Sequence, residues 1–166
     1  DIWGGGEPRN ATLALVRPDG TVEAAAHDLQ FPNGSVITPD GRTLIVGESM
    51  GRCYTAFDIG PDGRLERRRV WAQFTDVGPD GCTLDAEGAI WAANALGSEV
   101  VRVREGGEIT DRIPVGQGTY ACALGGDDGR TLFVLSADSA RETDVAGRGT
   151  GVIRTMRVDV PHAGRP

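Results

Sequence analysis

The chain has 166 residues, with 25 Gly, 9 Pro, 39% hydrophobic and 5% aromatic residues, enough for one domain with its own core and too rich in short apolar runs for a disordered chain. All 17 basic residues are Arg and the formal net charge is −7, which disfavours nucleic acid as a partner, and no run approaches transmembrane length, so no membrane partner is expected. The three cysteines, Cys53, Cys82 and Cys122, form no CxxC pair and point to free thiols in a reducing, cytoplasmic setting.

The chain opens Asp1-Ile2-Trp3 without an initiator Met and is expected to be a piece of something longer. Residues 1–10 read as a Gly-rich loop with Trp3 placed to roof a pocket or simply exposed; the phosphate-loop pattern GxxxxGK[ST] is absent. Strands are predicted at 12–16 and 21–25, joined by Pro18-Asp19-Gly20. Four more follow at 34–38, 43–47, 53–58 and 65–74, with Pro39-Asp40-Gly41 and Pro61-Asp62-Gly63 as turns. Arg67-Arg68-Arg69 falls in the last of these and reads as a solvated outer strand. The cycle restarts with strands at 81–85, 90–93, 99–103 and 108–113, then at 120–124, 131–135 and 152–158. Between the last two, Ala137 to Gly151 is an insertion that reads as a lid or a loose loop.

Two interlocked series of turn glycines set the period. Gly41, Gly88 and Gly129 are spaced by 47 and 41 residues, and Gly20, Gly63 and Gly107 by 43 and 44. Four short strands per repeat at this period predict an all-β fold, a β-propeller of four-stranded antiparallel blades. A β-sandwich with accidental turn spacing is the weaker reading. About three and a half blades are counted in one domain spanning 1–166: residues 1–30 end one blade, 31–77 and 78–117 form two more, and 118–166 form the last, incomplete one. The rest of the ring is expected from N-terminal blades of the same protein.

In each repeat the innermost strand begins just after a Pro-Asn-Gly or Pro-Asp-Gly step, placing Asn33 and Asp80 at equivalent heights in adjacent blades. Turn chemistry explains an Asn or Asp before Gly. Equally, a carboxylate and an amide carbonyl converging on a channel are hard oxygen ligands suited to Ca²⁺, Mg²⁺ or Mn²⁺. In the third repeat Ala121 is expected in the place of Asn33 and Asp80, with Cys122 replacing the Gly. Glu48, Asn94 and Cys122 are expected near the same end of the channel, as substrate contacts or as rim and core packing. His27 and His162 are isolated and lack metal-ligand spacing.

These segments resemble the gluconolactonase, regucalcin and senescence-marker-protein family of six-bladed propellers. The resemblance is carried by Phe31-Pro32-Asn33-Gly34, Thr38-Pro39-Asp40-Gly41-Arg42-Thr43-Leu44, Pro79 to Trp91, Ala121 to Gly126 and Val152 to Gly164. It implies that Asn33 and Asp80 bind one divalent metal ion, Ca²⁺ first, with Mg²⁺, Mn²⁺ or Zn²⁺ also open. A Glu ligand and a further Asn of the family would lie upstream of this chain. The implied reaction is metal-assisted water attack on a sugar or related lactone. Asp80 is the candidate general base, and metal-bound hydroxide is a rival nucleophile because a carboxylate beside a cation is a weak base. A phosphotriester hydrolase on the same propeller and a non-catalytic binding propeller are the alternatives.

Overall fold

The computed structural model describes residues 5–164. Its order is β1 (Ala11–Val16), β2 (Val22–Leu29), β3 (Pro32–Ile37), β4 (Thr43–Glu48), β5 (Cys53–Ile59), β6 (Leu65–Gln73), β7 (Pro79–Leu84), β8 (Ile90–Asn94), β9 (Glu99–Val103), β10 (Ile109–Pro114), β11 (Gly118–Gly125), β12 (Thr131–Ala137), a short helix α1 (Glu142–Val145) and β13 (Val152–Arg157). They form four antiparallel sheets, β1-β2, β3-β4-β5-β6, β7-β8-β9-β10 and β11-β12-β13. This is a run of propeller blades.

The apolar pattern explains the layering. In the two four-stranded sheets the second and third strands are buried on both faces, as in Ile90–Asn94 and Glu99–Val103, because a blade is covered by a neighbour on each side. The outer β6 is exposed along Glu66 to Val70. One core cluster joins Val36, Ile45, Tyr54 and Trp71 to Leu84, Ile90 and Val101 of the next sheet. A second joins Trp91 and Val100 to Leu132 and Val134, and a third packs Leu29 against Val46 and Phe57. Tyr54 meets Trp71 and Phe74 edge-on, at 5.8 and 6.1 Å between ring centroids.

The arginine run on β6 is tied rather than merely solvated. Arg67 and Arg69 both pair with Asp58, and Arg68 reaches the carbonyls of His27 and Asp28 at 2.9 and 3.1 Å. These bonds stitch the outer strand of one sheet to the end of the sheet before it. After β13 the chain crosses under the preceding blade. The Ala163 amide donates to the Leu84 carbonyl and the Ala86 amide to the Pro161 carbonyl, at 3.0 and 2.8 Å.

Inner strands of successive blades approach closely at two glycines. A Cβ on Gly34 would run into the backbone of Asp80 and lie 2.8 Å from the Cys82 amide; one on Gly81 would lie 2.8 Å from the Cα of Ala121. These two positions require glycine so that β3, β7 and β11 can stand side by side.

Candidate functional site

Each inner strand enters its sheet through an irregular step. Pro32 pairs with Glu48 and Ser35 with Val46; Pro79 pairs with Asn94 and Cys82 with Ala92; Thr119 pairs with Ser136 and Ala121 with Leu135. The bulge frees the residue after the first pair to turn out of the sheet. In β3 and β7 that residue is Asn33 and Asp80. Both line one open cavity of about 530 Å³, together with Phe31, Ser49, Arg52, Tyr120 and Arg141.

The register corrects one expectation. Val46, Ala92 and Val134 are equivalent on the second strands, so Ser35, Cys82 and Cys122 are equivalent on the inner ones. Tyr120 therefore holds the place of Asn33 and Asp80, and Ala121 the place of Gly34 and Gly81. Counting back from the turn glycine misses this because the third hairpin is longer: Gly129 stands nine residues after Tyr120, whereas Gly41 and Gly88 stand eight after Asn33 and Asp80.

The Asn33 side-chain amide donates to Ser49 Oγ at 3.3 Å, and that hydroxyl donates to the Pro79 carbonyl at 2.6 Å. Ser49 thus ties the two inner strands together where the two candidate ligands meet. Burial pushes the Asp80 carboxyl above its ordinary value, and the Gly81 N–H and the Asn33 amide pull it back only in part. Asp80 is the one carboxylate among the described residues lining the cavity, which Arg52 and Arg141 also line. Burial, then the charge of Asp80, holds the Tyr120 hydroxyl above its own ordinary value.

Glu48, Asn94 and Cys122 do not line the cavity. Each is buried with internal partners. Glu48 accepts from the Gln30 amide and from the Thr55 hydroxyl, both at 2.5 Å, and from Arg68 at 3.3 Å. Asn94 accepts from the amides of Gly78 and Leu96 at 3.0 and 3.1 Å and donates to the Asp76 carbonyl and to Glu99. Both fasten the loop that leads into their own blade, which is why a polar side chain recurs at the end of the second strand. The Cys122 thiol donates to the Trp91 carbonyl at 3.3 Å, and burial pushes it far up. The expectation that these three contact substrate gives way to packing and loop tethering. Trp3 lies outside the described residues. The insertion after β12 borders the cavity through Ser139, Ala140 and Arg141, and its only regular element among the described residues is α1.

Sequence reasoning missed Tyr120 and Ser49. The signal for Ser49 was present: it follows Glu48 as Ala95 follows Asn94, and both positions line the cavity. No cluster of three or more His, Cys, Asp or Glu that could hold a metal occurs among the described residues.

The family description "SMP-30/Gluconolactonase/LRE-like region" matches residues 2–138. The chain belongs to this family. Relatives include a 6-deoxy-6-sulfogluconolactonase of Pseudomonas putida, 25% identical over 99% of this chain and 59% of its own length. An L-arabinolactonase of Azospirillum brasilense is 31% identical over 93% of this chain and 46% of its own length. The solved structure of a calcium-binding regucalcin from Agrobacterium tumefaciens superposes with a TM-score of 0.71 at 23% identity, covering 86% of this chain and 51% of that one. The chain thus spans about half the length of the relatives it matches.

Proposed function

We propose that this chain carries part of the active site of a metal-dependent lactonase, a carboxylic ester hydrolase that opens a sugar or related lactone. The observation that carries the reading is the convergence of Asn33 and Asp80, from successive inner strands, on one cavity in a chain of this family. The lactonase names of the relatives support the reaction class. The partner is a small-molecule lactone, and three free thiols suit a cytoplasmic setting.

The residues present fit a hard divalent cation as part of its shell. Asp80 offers a carboxylate whose proton affinity burial raises, and Asn33 offers an amide oxygen beside it. Ca²⁺ suits these donors best, ahead of Mg²⁺, Mn²⁺ and Zn²⁺, because no imidazole or thiolate takes part and Ca²⁺ tolerates irregular oxygen shells. Such an ion takes about six to eight oxygen ligands, so further donors come from outside this chain. When bound, the cation would supply the positive charge that polarises the lactone carbonyl and stabilises its developing oxyanion.

The chain's own residues hold and orient. Ser49 and the inner-strand backbones fix Asn33, and Asn33 faces Asp80. As the one carboxylate in the described lining, Asp80 orients the attacking water and is the residue placed to accept its proton. The test uses the full-length protein. Asp80→Asn is expected to abolish calorimetric Ca²⁺ binding and to lower kcat/KM on aldonolactones by about 100-fold or more. Retention of both by the variant defeats the reading.

A further inference from the structure

Tyr120 is the third member of the row that contains Asn33 and Asp80, and it lines the same cavity. Its ring is held in an unusual way. Gly118 stands two residues before Tyr120 on β11, and the strand bulges at Tyr120, between Thr119 and Ala121. The phenol folds back over the space that Gly118 leaves. A Cβ on Gly118 would collide with the Tyr120 hydroxyl and would lie 2.8 Å from its Cζ. Gly118 is absent from the positive-φ glycines, so what a Cβ there would meet is the Tyr120 ring and, at 3.0 Å, the Ala137 carbonyl oxygen. Among the described residues the Tyr120 hydroxyl makes no hydrogen bond, although it stands in the field of Asp80. A phenol with an ordinary value near 10 carries its proton at neutral pH and is a donor seeking an oxygen.

We propose that Tyr120 is a substrate-binding residue of this site, donating its O–H to an oxygen of the bound sugar lactone, and that Gly118 sets the position of its ring. This rests on the lactonase reading above and deepens it by naming a recognition group two inner strands away from Asn33. The row then divides by role: Asn33 and Asp80 offer acceptors, and Tyr120 offers a donor.

The test uses the full-length protein with a panel of aldonolactones and, by calorimetry, Ca²⁺ and the product sugar acid. Tyr120→Phe keeps the ring and removes the donor. It is expected to lower kcat/KM by roughly 3- to 30-fold, the range for losing a hydrogen bond at an otherwise intact site, and to weaken sugar-acid binding. Ca²⁺ affinity should stay as in the wild type, a readout that separates Tyr120 from Asp80. Gly118→Ala, which keeps the hydroxyl but displaces the ring, is expected to raise KM as well. If wild-type protein turns over lactones and Tyr120→Phe matches it in KM, kcat and sugar-acid affinity, the inference is overturned while the lactonase reading stands. If wild-type protein neither turns over a lactone nor binds the sugar acid, both fall.

Discussion

Asp80 illustrates how a residue proposed for function can work against the fold that carries it. Its carboxyl is held above the ordinary value of 3.8 by burial. A group raised in the folded state favours folding when protonated, and that contribution is lost as pH rises through the raised value. The metal-free protein is therefore expected to lose some thermal stability between about pH 4 and neutrality, starting near the ordinary carboxyl range. Asp80→Asn removes the charge and should give a metal-free Tm at pH 7 equal to or above that of the wild type, even as metal binding is lost. A clear drop in Tm would mean that the carboxylate is structural. The thiols shift in the same direction, which keeps them protonated at neutral pH. Burial pushes Cys82 up to about 11 and raises Cys53 and Cys122 as well. All three should resist iodoacetamide at pH 8 in the native protein and react once it is denatured, counted by mass spectrometry.

At the scale of the element, the hairpins carried the repeat. Gly41, Gly88 and Gly129 all have positive φ, at 72°, 78° and 71°, as do Gly20, Gly63 and Gly107. Glycine at such turns leaves a clear trace in sequence, so the blade period was legible. What lies between turn and bulge left no such trace. One extra residue in the third hairpin put Tyr120, and not the Ala121 that counting predicted, in the row with Asn33 and Asp80. Glu48 and Asn94 were placed at the right end of their strands, yet their direction depends on backbone amides of the incoming loop, which spacing cannot show. The β7–β8 hairpin has its own anchor. Fully buried Asp85 accepts from the amides of Glu87 and Ala89 at 2.9 and 3.0 Å and from Arg102 Nε on β9 at 2.7 Å. Asp85→Ala leaves a buried guanidinium with part of its pairing and should cost about 3–5 kcal/mol in denaturant unfolding. A loss within experimental error would show that Glu87 alone suffices for Arg102.

At the scale of the molecule, two of the four sheets hold fewer than four strands among the described residues. β1 pairs only with β2, and β13 pairs only with β12. Val16, Val22, Val152 and Ile153 are exposed on those sheets. Unpaired strands flanked by apolar side chains template association. The 166-residue chain prepared alone should self-associate in light scattering, and Ile153→Lys should reduce it; a monodisperse monomer would contradict this. The sequence by itself determined the all-β class, the blade period and the two oxygen-bearing residues Asn33 and Asp80, because turn glycines and alternating apolar runs are local physics. Only the tertiary structure decided which side chains share the cavity with them. Strand register, a bulge and the empty side of Gly118 set the direction of Tyr120, and backbone groups distant in sequence turned Glu48 and Asn94 inward. Such directions arise from close approach between strands and loops, which no local pattern encodes.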